Sequence, residues 1–175
     1  TEPGVDRDAR LGGSALAADG SAAMAILVTH ISAAAASLSW ALRERIKFGR
    51  TSLVSLVTGS IAGLASITPA AGEVGPMGAL VIGSVAGVLC QEAVLFMKNH
   101  TQIDDALDVF AVHGLGGIFG TLMIAAFGYA AWAPQIGALV IVGLYTVVVT
   151  YALVRVVAWM TPLRVDRETE TNGLD

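Results

Sequence analysis

Five long apolar segments, separated by short polar linkers, constrain this fold more than any other feature of the sequence. They cover approximately residues 21–42, 52–71, 75–97, 109–132 and 134–160. Each is close to the roughly 20 apolar residues that a helix needs to cross a bilayer. A backbone in lipid must satisfy its own hydrogen bonds, and the alternation typical of barrel strands is absent. The sequence therefore predicts an all-α integral membrane protein with five transmembrane helices, the second of which ends early at Pro69.

The composition agrees with helices that pack closely in lipid. Charged residues make up 14% of the 175 positions and hydrophobic residues 55%, whereas a soluble domain carries about 25% charge. Small residues recur at GxxxG spacing, which favours close contacts between membrane helices. The pairs are Gly59 with Gly63, Gly83 with Gly87, and Gly116 with Gly120.

The distribution of Lys and Arg predicts the orientation in the membrane. The first and third linkers and the C-terminal tail are basic, whereas the second and fourth linkers contain neither residue type. The basic positions are Arg43, Arg45, Lys47, Arg50, Lys98, Arg164 and Arg167. The positive-inside rule then puts both basic linkers and the C-terminus in the cytoplasm of a multi-pass protein of the cell (plasma or inner) membrane. Trp40, Trp132 and Trp159 lie near span ends, where we expect interfacial anchors.

Two ionisable residues of the fourth segment are candidates for function. His113 lies within the span, where a titratable side chain is costly and is expected to face the bundle interior. A neutral imidazole accepts and donates a proton, which suits a relay or a narrow polar path; the alternative is a histidine bonded to a neighbouring helix. Asp108, at the start of the span, is expected to cap the first amides as a structural residue. His30, in the first segment, favours an interhelical hydrogen bond or a small-residue groove.

Other classes of function find little support in the sequence. There is no catalytic Ser/His/Asp set, no phosphate-binding glycine loop, and no His/Cys cluster with metal spacing. We therefore expect no enzyme, no cofactor and no metal. The absence of a basic stripe with interleaved aromatics argues against a nucleic-acid partner. The lone Cys90, within an apolar run, predicts a packing role.

Two motifs resemble the ammonium transporter family (Amt/Rh-type ammonia channels). Residues 67–72 (ITPAAG), which run into residues 75–80 (GPMGAL), resemble the family's loop between its eighth and ninth helices. Residues 108–114 (DVFAVHG) resemble its tenth-helix motif, which contains the second histidine of a twin-histidine pore. The resemblance extends from about Gly12 to Asp175 without a register break. The five spans would correspond to helices seven to eleven, the C-terminal half of an eleven-helix protomer.

The resemblance implies roles for individual residues. His113 matches the second pore histidine, and Ser14 the serine of the outer recruitment site. Val109 and Val54 fall on positions that line the channel, and Thr68 on one that supports the vestibule. The order of motifs implies that His30 does not inherit the role of the first histidine, because that residue belongs to helix five.

The resemblance also implies a trimer, with one pore in each protomer, that recruits ammonium outside and conducts ammonia. Helices one to five and their pore histidine are not in the sequence, and residues 11–18 match only part of helix six. Arg10 stands where the family has its second gating phenylalanine. We divide the chain into an N-terminal segment 1–18 with the helix-six remnant, a five-helix region 19–160, and a cytoplasmic tail 161–175.

Two functions remain open at this point. The first is a partial ammonium/ammonia transporter that contributes one half of a hydrophobic pore and does not transport alone. The second is a regulatory or interaction membrane protein that joins full-length transporter trimers or binds a PII-type nitrogen-regulatory protein through its tail.

Overall fold

Five α-helices form the part of the chain that the computed structural model describes, which is residues 20–101, 103, 105–165 and 173. They are α1 Gly20–Phe48, α2 Leu53–Ile67, α3 Pro76–His100, α4 Leu115–Ala126 and α5 Trp132–Met160. A 3-10 turn, Thr68–Ala70, extends α2, and a π-helix, Phe110–Gly114, leads into α4. The five predicted helices are thus confirmed. The expectations for residues 1–18, which include Ser14 and Arg10, lie outside the described residues.

The fourth predicted span is shorter than the sequence indicated. The helices α1, α2 with its 3-10 turn, α3 and α5 are long and apolar enough to cross a membrane, whereas Phe110–Ala126 is shorter. Its 17 residues, 5 in the π-helix and 12 in α4, would reach only about 26 Å at the α-helical rise. Gly128, with φ of 80°, ends the helix, and its amide bonds Ala125 O at 3.0 Å. The helix thus ends at Ala126, six residues before the expected end at residue 132.

Local sequence explains where the other helices begin and end. Gly49, with φ of 74°, terminates α1. Ser52 then caps α2, because its hydroxyl accepts the Ser55 amide at 3.1 Å. Pro76 opens α3 at a position where its missing amide hydrogen costs nothing. Pro69 ends the regular part of α2, as the sequence predicted.

The chain divides at Gln135 into two compact units. In the first, α1 packs against α2 and α3, and α4 packs against α2. A Cβ atom on Gly63 would come within 2.5 Å of Ser32 O of α1, and one on Gly83 would collide with the Ser32 backbone. A Cβ atom on Gly120 would collide with the carbonyl of Ser66. The expected glycine-mediated helix contacts are therefore confirmed.

Two buried clusters fill the first unit. One surrounds the 3-10 turn and includes Val28, Ile67 and Ile82. The other includes Trp40, with Cys90, Val94 and Val112. Trp40 is only 4% exposed, so the expectation of an interfacial anchor is wrong for this residue, because α1 continues past it to Phe48 and holds its ring inside the unit.

The second unit contains most of α5. This helix has 29 residues and carries Arg155 near its C-terminal end. Trp132 and Trp159, one at each end of α5, are 52% and 88% exposed, as interfacial anchors require.

Candidate functional site

His113 lies on the π-helix that leads into α4. Its neighbours Ala111 and Val112 are buried in the cluster around Trp40, whereas His113 itself is exposed. A π-helix accommodates an extra residue per turn and so changes the direction of the side chains that follow, which is why such turns are frequent at functional sites. Within the part of the chain that the structure describes, His113 makes no hydrogen bond. Its ring is therefore available to a ligand or to residues beyond that part.

A carboxylate that the sequence did not single out caps the helix of His113. Asp105 accepts the amide hydrogens of Val109 at 2.8 Å and of Phe110 at 2.9 Å. This is the capping role that we expected of Asp108. Because Asp108 has φ of 54°, it departs from the extended conformation of an N-cap residue, and its carboxylate instead accepts the Lys98 ammonium at 2.9 Å. Both interactions fix the start of the segment that presents His113.

Val54 and Thr68, matched to the channel wall and to the vestibule, lie at opposite ends of α2 and its 3-10 turn. Val54, at the start of the helix, is 74% exposed, and Val109, before the π-helix, is 50% exposed. Thr68 lies 14 residues after Val54, which is about 21 Å along a helix axis. Its hydroxyl and its amide both donate to Leu64 O. Thr68 therefore satisfies its own polar groups within α2.

His30 is bonded within its own helix. Its Nδ1 lies 2.9 Å from Ile26 O, one turn earlier in α1, and the side chain is exposed. The interhelical hydrogen bond expected for His30 is therefore absent from the described part of the chain. The two histidines therefore differ. His30 has a hydrogen-bond partner in its own helix, whereas His113 has none within the described residues.

An open cavity of about 190 Å³ lies between α1, α2, α3 and the residue that precedes the fourth span. Its wall includes Val54 and Asp108, two residues that the sequence singled out. Among the wall residues that the sequence analysis did not select as site residues are Glu44, Gln91 and Lys98. Gln91 could have been recognised, because an amide side chain in the apolar run 75–97 is costly in lipid and marks a candidate site.

The polar groups of this cavity are partly satisfied by neighbouring helices. Glu44 accepts the Ser55 hydroxyl at 2.6 Å and the Ser52 amide at 3.1 Å. Gln91 donates its Nε2 to Trp40 O at 3.3 Å, while its Oε1 is buried without a hydrogen-bond partner. No group of three or more His, Cys, Asp or Glu side chains capable of holding a metal occurs among the described residues.

The described part of the chain has helices long enough to span a bilayer, helix contacts made through glycines, and an exposed histidine on a membrane helix. These features define a multi-pass α-helical membrane protein. The profile of the Ammonium Transporter Family matches residues 12–175, and the chain belongs to that family. The chain is 40% identical to the ammonium transporter Amt1 of Archaeoglobus fulgidus, over 94% of this chain and 45% of that protein. It is 35% identical to the ammonium transporter of Bacillus subtilis, over 93% of this chain and 44% of that protein. The chain thus spans about half the length of the curated relatives it matches.

Solved structures show the same architecture. A structure described as a sensor Amt protein superposes with a TM-score of 0.77 at 31% identity, over 90% of this chain and 42% of that one. A mutant of Mep2 from Candida albicans superposes with a TM-score of 0.57 at 39% identity, over 61% of this chain and 27% of that one. These similarities confirm the all-α membrane fold predicted from the apolar segments.

Proposed function

We propose that this chain supplies one half of a hydrophobic pore that conducts ammonium or ammonia across the cell membrane. The single observation that carries the proposal concerns the exposure and the hydrogen bonding of the His113 side chain. The side chain is exposed and makes no hydrogen bond within the described residues, although the two residues before it, Ala111 and Val112, are buried. Together with membership of the ammonium transporter family, this supports His113 as a pore residue rather than a packing residue.

The proposed path has an apolar wall and polar ends. Ser14 recruits ammonium on the outside, and Thr68 supports that vestibule. Val109 and Val54 line the channel, where an apolar wall admits neutral ammonia more readily than a charged ion. The imidazole of His113 accepts and donates hydrogen bonds along this path. Asp108 is structural, held beside the pore by Lys98.

A half-pore needs a second polypeptide segment that closes the other side of the channel. A polar face around His113 that is left open to lipid would cost a few kcal/mol. We infer that the complement comes from the half of the relatives' length that this sequence does not match, or from full-length transporter subunits, in a trimeric assembly. The basic first and third linkers and the C-terminal tail lie in the cytoplasm. The chain is then not transport-competent when it is expressed alone.

Uptake of labelled methylammonium by cells lacking their own ammonium transporters tests this proposal. The chain is expressed alone and together with the N-terminal portion of the Archaeoglobus fulgidus transporter that it does not match. We expect uptake only from the pair, and its loss in His113→Ala. His30→Ala is the matched control, because that histidine bonds only its own helix, and it should leave uptake unchanged. Full uptake by the His113→Ala pair would refute the proposed role of this residue.

The alternative function is regulation. The similarity to a structure described as a sensor Amt protein favours it, since that protein is named for sensing. In this case the chain joins full-length transporter trimers, or its tail binds a PII-type regulatory protein, and it alters flux without forming a pore. Co-purification with a full-length transporter, together with a change in that transporter's uptake that is insensitive to His113→Ala, would support this function over the half-pore.

A further inference from the structure

Cys90 lies where α3 crosses the π-helix of His113. Its side chain is fully buried, in the cluster that contains Trp40, Val94 and Val112. The thiol, a weak hydrogen-bond donor, is directed at the carbonyl of Val112, with 3.9 Å between Sγ and the oxygen. Because Val112 directly precedes His113, a side chain of α3 contacts the peptide unit that joins these two residues.

The same sulfur lies against the chain on the other side of His113. Gly116 of α4 is buried, and a Cβ atom at this position would lie 3.5 Å from Sγ of Cys90 and 2.9 Å from Oγ of Ser66 on α2. The missing side chain thus lets α2 and α3 both approach the α4 backbone at this point. Cys90 therefore supports the segment before His113, at Val112, and one helical turn after it, at Gly116.

Ser66 shows independently that polar atoms converge on this crossing. Its side chain is fully buried, and its Oγ has no hydrogen-bond partner within the described residues. A serine in a helix commonly bonds a carbonyl one turn earlier, as Ser60 does, but the hydroxyl of Ser66 lies against Gly116 instead. An unpaired buried hydroxyl is unfavourable, so the close packing of Cys90, Ser66 and Gly116 must offset its cost.

The π-helix makes the direction of the His113 side chain sensitive to these supports. A π turn holds one residue more than an α turn, and a return to α winding would rotate the side chains that follow by about 100° around the helix axis. Asp105 holds the amide end of the segment by its bonds to the first amides. On the carbonyl side, next to His113, the support comes from the thiol of Cys90.

We propose that Cys90 is a positioning residue for His113. Its thiol holds the Val112 carbonyl and its sulfur packs against Gly116, so that the π turn keeps the imidazole on the exposed face of the helix. The inference rests on the proposed function, because it concerns how the proposed pore histidine is oriented. Cys90 itself is buried and does not meet the solute.

Chemical labelling of the histidines tests this orientation without any need for transport. The sequence has three histidines, His30, His100 and His113. The purified full chain is treated with diethyl pyrocarbonate, which modifies accessible imidazoles, and peptide mass spectrometry reads the modification at each histidine. His30 lies on α1, outside the contacts of Cys90, and is the internal reference in the same molecule. The measured quantity is the labelling rate of His113 divided by that of His30.

Variants of two buried α3 residues give the test and its matched control. Cys90→Ala removes both contacts of the sulfur and should lower the ratio about threefold, the factor expected for a weak hydrogen bond, because rotation from the exposed face carries the ring towards Ala111 and Val112. Cys90→Ser retains a donor and should restore the ratio. Ile82→Val also removes one heavy atom from a fully buried side chain, but in the cluster around the 3-10 turn, and should leave the ratio unchanged.

Near-ultraviolet circular dichroism checks that each variant is folded. If Cys90→Ala does not fold, Cys90→Val, which fills the space without a donor, takes its place with the same expected fall. An unchanged or raised ratio in the variant without a donor would overturn the proposal. So would a fall that Cys90→Ser does not reverse, or an equal fall in Ile82→Val.

The labelling test and the uptake test fail independently. A fall in the ratio that Cys90→Ser reverses, without uptake by the complemented pair, would support the positioning role of Cys90 while refuting the pore. Uptake that requires His113, together with an unchanged ratio in Cys90→Ala, would overturn the positioning role and leave the pore intact.

Discussion

Gly120 of α4 offers a sharp test of the helix packing. A Cβ atom at this position would overlap the carbonyl oxygen of Ser66 on α2 and lie 2.8 Å from its carbonyl carbon. Backbone atoms cannot rotate away as a side chain can, so the helices must shift apart. Gly117, on the same helix, has nothing within 4 Å of such an atom. Gly120→Ala and Gly117→Ala therefore make the same chemical change in opposite environments.

The expected magnitude follows from that contrast. Replacing glycine by alanine in a helix gains about 1 kcal/mol of intrinsic propensity, and this gain applies to both variants. Overpacking of a tight interface costs about 1–3 kcal/mol, and it applies only to Gly120→Ala. The difference between the two free energies of unfolding should thus be about 1–3 kcal/mol, with Gly120→Ala the less stable.

Unfolding of the purified chain by sodium dodecyl sulfate in mixed micelles, followed by circular dichroism, measures this difference. Thermal unfolding in detergent gives a second readout, and for a chain of this size about 2–4 °C corresponds to 1 kcal/mol. If Gly120→Ala proved as stable as Gly117→Ala, the close approach of α4 to α2 would be refuted, and with it the reading of the GxxxG pair as a packing motif.

Three further substitutions test the supports of the site by the same unfolding assay. Asp105→Ala removes the cap from the amides of Val109 and Phe110 and should cost about 1 kcal/mol; no loss would mean that the cap does not hold this segment. Ser32→Ala removes the buried hydrogen bond to Gly63 O and should cost about 0.5–1.5 kcal/mol, whereas a stabilised variant would contradict that bond. Glu92→Gln removes the negative charge that pairs with Arg43 and Lys47, and because these side chains are 33–41% exposed, the loss should stay below about 1 kcal/mol and shrink further at high salt.

Helix positions were predictable because hydropathy alone decides which segments can enter a membrane. The expected segments 75–97 and 134–160 agree within three residues with α3 and α5. The extension of α1 to Phe48 was not predictable from hydropathy, since its last turns are charged. Those turns remain helical because Arg, Glu and Lys are good helix formers, and because Arg43 and Lys47 pair with Glu92 of α3.

The details of the site depend on contacts that the sequence does not display. Whether Asp105 or Asp108 caps the helix is decided by the backbone φ of Asp108, which is a property of the folded loop. The cavity depends on pairs far apart in the sequence, such as Gln91 with Trp40 and Glu44 with Ser55. His113 was selected because an ionisable residue in an apolar run is rare and costly. Gln91 met the same criterion less strongly, since it carries no charge.

Polar side chains within the helices are of two kinds, those with a hydrogen-bond partner and those without one, and this difference bears on function. Ser32 and Thr68 satisfy their hydroxyls on backbone carbonyls, as does the ring of His30, and these need nothing more from the membrane or from a solute. Ser66 Oγ and Gln91 Oε1 are buried without a hydrogen-bond partner, and the exposed ring of His113 also has none within the described residues. An unpaired polar group is costly in an apolar medium, so each of these three requires a ligand, water or residues of a completing half. Of these groups only His113 is exposed, so it alone can meet a solute directly on the wall of the path that we propose for ammonium and ammonia.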